Sequence, residues 1–108
     1  MNAELLVRLK REKNLLKWGE QNHPNGTGTS PLRDMHRAAA QTIVDKGMRN
    51  GTVTYFDILN EEVQEVACET DDEKVLAEMI DVAAVAMDWA DSILRKAERN
   101  VANAEERT

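Results

Sequence analysis

Residues 70–99 read TDDEKVLAEMIDVAAVAMDWADSILRKAER, and this stretch decides the fold. Neither proline nor glycine interrupts it. Val75, Met79, Val82, Ala86 and Ile93 fall on one helical stripe, which Trp89 continues. Leu76, Ile80, Ala83, Met87, Ala90 and Leu94 fall on a second stripe beside it. Apolar residues over that much of the circumference specify a helix to be covered on several sides. The narrow seam left over reads Lys74, Glu78, Asp81, Val85, Asp88, Ser92. Thr70 and Glu73 have capping-box spacing, so the helix is expected to run from Asp71 to at least Arg99. Residues 100–108 are expected to fray into solvent.

Working outward, Thr54 reads as the N-cap of a preceding helix that reaches about Glu69. The run Thr52-Val53-Thr54-Tyr55-Phe56 is β-branched and aromatic, but no second stretch offers it a partner strand. Ser30-Pro31 opens another helix, with a capping hydroxyl followed by proline, and Asn50-Gly51 closes it. Residues 3–21 carry Leu5, Leu6, Leu9, Leu16 and Trp18 at helical spacing. That first helix is expected to end near His23-Pro24, because the residue before proline is pushed out of the helical region. Residues 23–30, HPNGTGTS, form a loop. Its Gly26-Thr27-Gly28 lacks the Gly-Lys-Ser/Thr of a phosphate loop and reads as a flexible turn. The expectation is an all-α chain of four helices. Three shorter helices do not suffice to cover the fourth, so a second subunit is expected against it.

The 108 residues amount to one domain, and 42% hydrophobic with 31% charged residues is a globular balance. The single cysteine, Cys68, excludes a disulfide framework and a cysteine-based zinc site, and reads as a small buried hydrophobe. Aromatics at 4% are too few for stacking platforms on single strands. Twenty acidic against fourteen basic residues, a net charge of −6, argue against gripping a nucleic-acid polymer. No stretch approaches the ~20 apolar residues that span a bilayer. Membrane association is not expected and a cytoplasmic location is. Asn25-Gly26-Thr27 and Asn50-Gly51-Thr52 match the glycosylation pattern but read as turns.

Two carboxylate pairs stand out. Glu62 and Glu65 lie three apart on the third helix, Glu78 and Asp81 three apart on the fourth. Such neighbours share a helix face, with Cβ atoms ~5–6 Å apart. The intervening residues 66–77 contain the turn, so an antiparallel hairpin would set the pairs face to face. Four facing carboxylates repel one another unless cations lie between them. Hard oxygen donors without histidine or thiolate suit Mg²⁺ or Mn²⁺. The competing reading is a solvated acidic face on a non-enzymatic oligomerisation or interaction module. Against it stands the setting of Glu78 and Asp81 in an otherwise apolar helix.

Glu61-Glu62-Val63-Gln64-Glu65, followed by Glu78-Met79-Ile80-Asp81, resembles the Glu-x-x-Glu…Glu-x-x-Asp signature of the all-α nucleoside triphosphate pyrophosphohydrolases, in their MazG-like branch. The run from Lys17 to Gly28, the stretch from Gly51 to Glu69 and that from Val82 to Trp89 extend the likeness over most of the chain. The resemblance implies four-helix units that form homodimers or homotetramers and hydrolyse an NTP or dNTP to monophosphate and pyrophosphate. It makes Glu62, Glu65, Glu78 and Asp81 ligands of Mg²⁺, with Glu61 positioning or deprotonating the attacking water. Lys17, Trp18, Gln21, His23 and Asp88 become candidate nucleotide contacts. Asp88 stands where many relatives place an asparagine; an acid there disfavours phosphate but accepts hydrogen bonds from a base or sugar.

Each contact has a plainer alternative. Trp18 stacks on a base or belongs to the core; His23 is a ligand or a helix-end residue. Lys17 and Arg95 meet phosphate oxygens or are surface charges. Glu20-x-x-His23 has di-iron spacing, but His36 has no glutamate three residues before it, so the second pair is missing. Two histidines support no Ser/His/Asp or Cys/His nucleophilic set.

Overall fold

The first backbone N–H groups of a helix have no partner within it, and in this chain nearby side chains supply one. Asn2 Oδ1 accepts from Leu5 N–H at 2.9 Å and opens α1 (Ala3–Trp18). Ser30 Oγ accepts from Arg33 N–H at 3.1 Å and opens α2 (Pro31–Asn50). Thr54 and Asp57 exchange bonds of 3.1 and 3.3 Å in a reciprocal capping box at α3 (Tyr55–Cys68). Asp71 Oδ1 accepts from Glu73 N–H at 3.3 Å, and Asp71 O from Val75 N–H at 2.8 Å, at the start of α4 (Asp72–Glu106). The computed structural model describes residues 1–107, and among these there are four helices and no strand.

Three boundaries differ from the sequence reading. α1 stops at Trp18, well before His23-Pro24. Gly19 takes φ 70° and its N–H caps Leu15 O at 2.8 Å, so the glycine ends the helix before the proline can. The cap of α4 is Asp71 rather than Thr70. Residues 100–106 do not fray but continue α4 to Glu106, and Thr108 lies outside the described residues. Ala97, Ala102 and Ala104 are strong helix formers there, and nothing in that stretch breaks the helix.

The chain divides into two compact units, Pro24–Ala86 and Met1–His23 with Met87–Thr108. In the second, Ala3 N–H donates to Asp91 Oδ1 at 2.7 Å and ties the start of α1 to α4. In the first, α2, α3 and the beginning of α4 follow one another through short turns. Gly51 closes α2 in the left-handed conformation, φ 70° and ψ 23°. The N–H groups of Thr52 and Val53 both turn back onto Gly47 O, at 2.8 and 3.2 Å. Gly47 is buried, and a Cβ on it would lie 2.9 Å from Val53 Cα and 3.0 Å from Val53 N. Backbone cannot step aside as a side chain can. Gly47→Ala is therefore expected to destabilise the fold by about 1–3 kcal/mol despite alanine's higher helix propensity. Urea titration checks this, and an unchanged midpoint would contradict the close approach.

Residues 23–30 are organised rather than a slack turn. Arg33 Nη1 donates to Gly28 O at 3.0 Å and Ala67 O at 3.2 Å, and Nη2 donates to Gly26 O at 3.1 Å. Gly28 N–H adds a bond to Ala67 O at 3.0 Å. Gly26 and Gly28 carry φ of 70° and 147°, values that side chains disfavour.

The core is thin. Ala40, Val66 and Cys68 are buried in the first unit and Ala3 in the second, and no large side chain is fully enclosed. Cys68 is free and 4% exposed, as its reading as a small hydrophobe required. α4 has no buried residue, with Leu76 64% and Ile80 62% exposed. On α4, Glu78 is thus less exposed than its apolar neighbours Leu76 and Ile80. Among the described residues no helix is long and apolar enough to cross a membrane.

Candidate metal centre

The α3–α4 turn is short, residues 69–71, and the chain folds back after it far enough to bring carboxylates of the two helices together. Glu65 and Glu78 have the same midpoint in the sequence as Glu62 and Asp81, between Asp71 and Asp72, so each glutamate of α3 has one counterpart on α4. Glu62, Glu78 and Asp81 each offer one carboxylate oxygen, and these oxygens lie within 4.8 Å of one another. Glu65 lies against Glu78, within hydrogen-bonding reach of it. Asp81 is exposed while Glu62 and Glu78 are half-buried, so the cluster has an open side toward solvent.

The electrostatics follow from this crowding. Glu62 is pushed up to about 7, first by burial, then by the charges of Glu65, Asp81, Glu78 and Glu61. Glu78 is also raised, first by burial, then by the charge of Glu65 and the hydrogen bond between them, with Asp81 and Glu69 adding to it. Among the described residues no Lys or Arg forms an ion pair with any of these four carboxylates; Arg37 pairs with Asp34 at 3.6 Å. Glu61 Oε2, Glu62 Oε2 and Glu78 Oε2 are shut off from solvent and have no hydrogen-bond partner. Carboxylate oxygens in that condition are costly unless protonated or bound to a cation. All-oxygen donors with one open side suit a hard divalent cation that keeps some of its waters.

The candidate nucleotide contacts lie in the other unit. Lys17 Nζ sits 4.8 Å from the centroid of the Trp18 ring, and Trp18 is 62% exposed, not a core residue. Gln21 Nε2 donates to Trp18 O at 3.2 Å, and its Oε1 meets His23 Nε2 at 2.8 Å. Trp18 and Gln21 line an open groove of about 910 Å³ with Arg8, Arg11 and Leu15. Asp88 is exposed on α4, also in that unit. The sequence reading passed over Arg33 entirely and took Asn25 only as part of a turn. An arginine directly after a Ser-Pro-Leu helix start carries no motif, and only its three carbonyl acceptors reveal its use. No protein-family model, no curated protein and no solved structure matches the chain.

Proposed function

We propose that this chain is a cytoplasmic, Mg²⁺-dependent nucleotide pyrophosphohydrolase of the MazG-like type, converting an NTP or dNTP to its monophosphate and pyrophosphate. The observation that carries the reading is the convergence of Glu62, Glu65, Glu78 and Asp81 from two helices, with buried oxygens that have no partner. When bound, Mg²⁺ lowers the pKa of a coordinated water and neutralises charge on the leaving pyrophosphate. The four carboxylates hold the cation. Glu61, whose Oε2 is buried and unpartnered, orients the attacking water and accepts its proton. Asp81 marks the solvent-open side from which a triphosphate enters. Lys17, Trp18, Gln21, His23 and Asp88 are the proposed nucleotide contacts, supported by the exposure of Trp18 and the open groove beside it.

Incubation with a panel of NTPs and dNTPs plus Mg²⁺, reading pyrophosphate, tests the activity. No turnover of any nucleotide with either Mg²⁺ or Mn²⁺ would leave the interaction module as the better reading. Glu61→Gln is expected to lower turnover while metal affinity, read by calorimetric titration, falls less than in Glu65→Gln. Equal losses of affinity would contradict the separate roles.

The enzyme is proposed to work as a homodimer or homotetramer. Leu76 and Ile80, on one stripe of α4, are 64% and 62% exposed, a surface that an obligate partner would cover. Sedimentation at micromolar concentration should show no stable monomer, and a clean monomer would rule the assembly out.

A further inference from the structure

The α3–α4 turn is bridged from outside by the segment that precedes α2. On the α3 side, Ala67 O accepts from Gly28 N–H at 3.0 Å and from Arg33 Nη1 at 3.2 Å. On the α4 side, Asp72 Oδ1 accepts from Asn25 Nδ2 at 2.7 Å. Arg33 also holds the bridging segment itself, through Gly26 O and Gly28 O. The last turn of α3 has no basic residue of its own, so Arg33 supplies the cation that complements the negative end of that helix. Gly28 packs against the turn, where a Cβ would lie 3.9 Å from Thr70 Cγ2.

Four crowded carboxylates push α3 and α4 apart when no cation is bound. The turn is the hinge about which they would separate, and residues 25–28 are fastened to both of its flanks. We propose that residues 25–28 and Arg33 form a strap that keeps the carboxylate pairs at ligating distance before a cation arrives, with Arg33 as a positioning residue. The proposal rests on the metal-site reading above. Neither Asn25 nor Arg33 touches the carboxylates; both act through the turn. A preorganised site does not have to close the hairpin out of binding energy, so the strap raises cation affinity and leaves the chemical step alone.

The test uses Asn25→Ala, which removes one exposed side-chain bond and threatens folding least, and Arg33→Gln. Spin labels at Phe56→Cys and Ala84→Cys, in a Cys68→Ala background, read the separation of α3 and α4 in the metal-free protein. The expected result is a longer and broader distance distribution in both variants, returning to the parent's on saturation with Mg²⁺. Mg²⁺ affinity should weaken by about tenfold in Asn25→Ala, the loss of one charge-assisted bond. The kcat at saturating Mg²⁺ should stay near the parent's. A merely structural role would lower the melting temperature and leave distance and affinity unmoved, and that outcome overturns the strap. Should the parent itself bind no Mg²⁺, the metal reading fails, and the metal-free distances still decide the strap. Widening supports it; identical distributions in parent and variants overturn it.

Discussion

Asp81→Asn should cost the protein the proposed nucleotide turnover and leave the metal-free fold as stable as before, or more so. The substitution keeps the volume of the side chain but removes a full charge and a strong ligand atom from the cluster with Glu62 and Glu78. Loss of one electrostatic partner from a catalytic centre lowers kcat on the order of 10²–10³-fold. Glu65→Gln should behave alike, since Glu65 lies within hydrogen-bonding reach of Glu78 and repels both Glu62 and Glu78. In the metal-free protein the same changes relieve repulsion. Because Asp81 is exposed, the gain is screened and should not exceed about 1 kcal/mol. Steady-state kinetics at saturating Mg²⁺, paired with melts in chelator, separate the two effects. Full activity in either variant would remove the metal site itself.

The metal-free protein should also melt at a lower temperature at pH 8 than at pH 5, and Mg²⁺ should oppose that trend. Glu62 carries a folded-state value of about 7 against an ordinary 4.5, so the folded state holds its proton more tightly than the unfolded chain does. Below about 4.5 both states are protonated and the contribution is fully present. Between 4.5 and 7 the unfolded chain ionises while the folded one does not, and stability falls as pH rises. Above about 7 both are ionised and the contribution is gone. Glu78, raised in the same direction, steepens the decline. Mg²⁺ binds the ionised form and stabilises the folded state by mass action, most strongly above pH 7. Binding near pH 6 should release protons, so its heat should vary with the ionisation enthalpy of the buffer. Glu62→Gln should flatten the metal-free pH profile. A metal-free protein that gains stability from pH 5 to 8 would contradict this electrostatic picture.

Local chemistry made most of the fold legible. Ser30-Pro31, Asn50-Gly51 and Thr54 marked helix ends because capping depends on residue type and little else. The end of α1 was missed because two breakers competed, and Gly19 comes before Pro24 in the chain. The Thr70–Glu73 box failed because Asp71, one residue on, caps equally well and starts the helix there. The spacing of Glu62, Glu65, Glu78 and Asp81 pointed to their convergence, since residues three apart share a helix face and only a short turn separates the two helices. The side of α4 facing α3 was not legible. Counting apolar residues suggested that the acidic seam was the leftover face, yet Glu78 is half-buried while Leu76 and Ile80 stay exposed. Long-range bonds such as Asn25 to Asp72 have no periodic signature at all.

Cys68 closes α3 beside the carbonyl of Ala67, and it is the chain's only thiol. At 4% exposure it cannot meet a bulky disulfide reagent unless the end of α3 opens. Its modification rate is thus a built-in clock for that opening, readable on the unmodified chain at neutral pH. The clock should slow as Mg²⁺ is added, and at high reagent concentration its limiting rate becomes the opening rate itself.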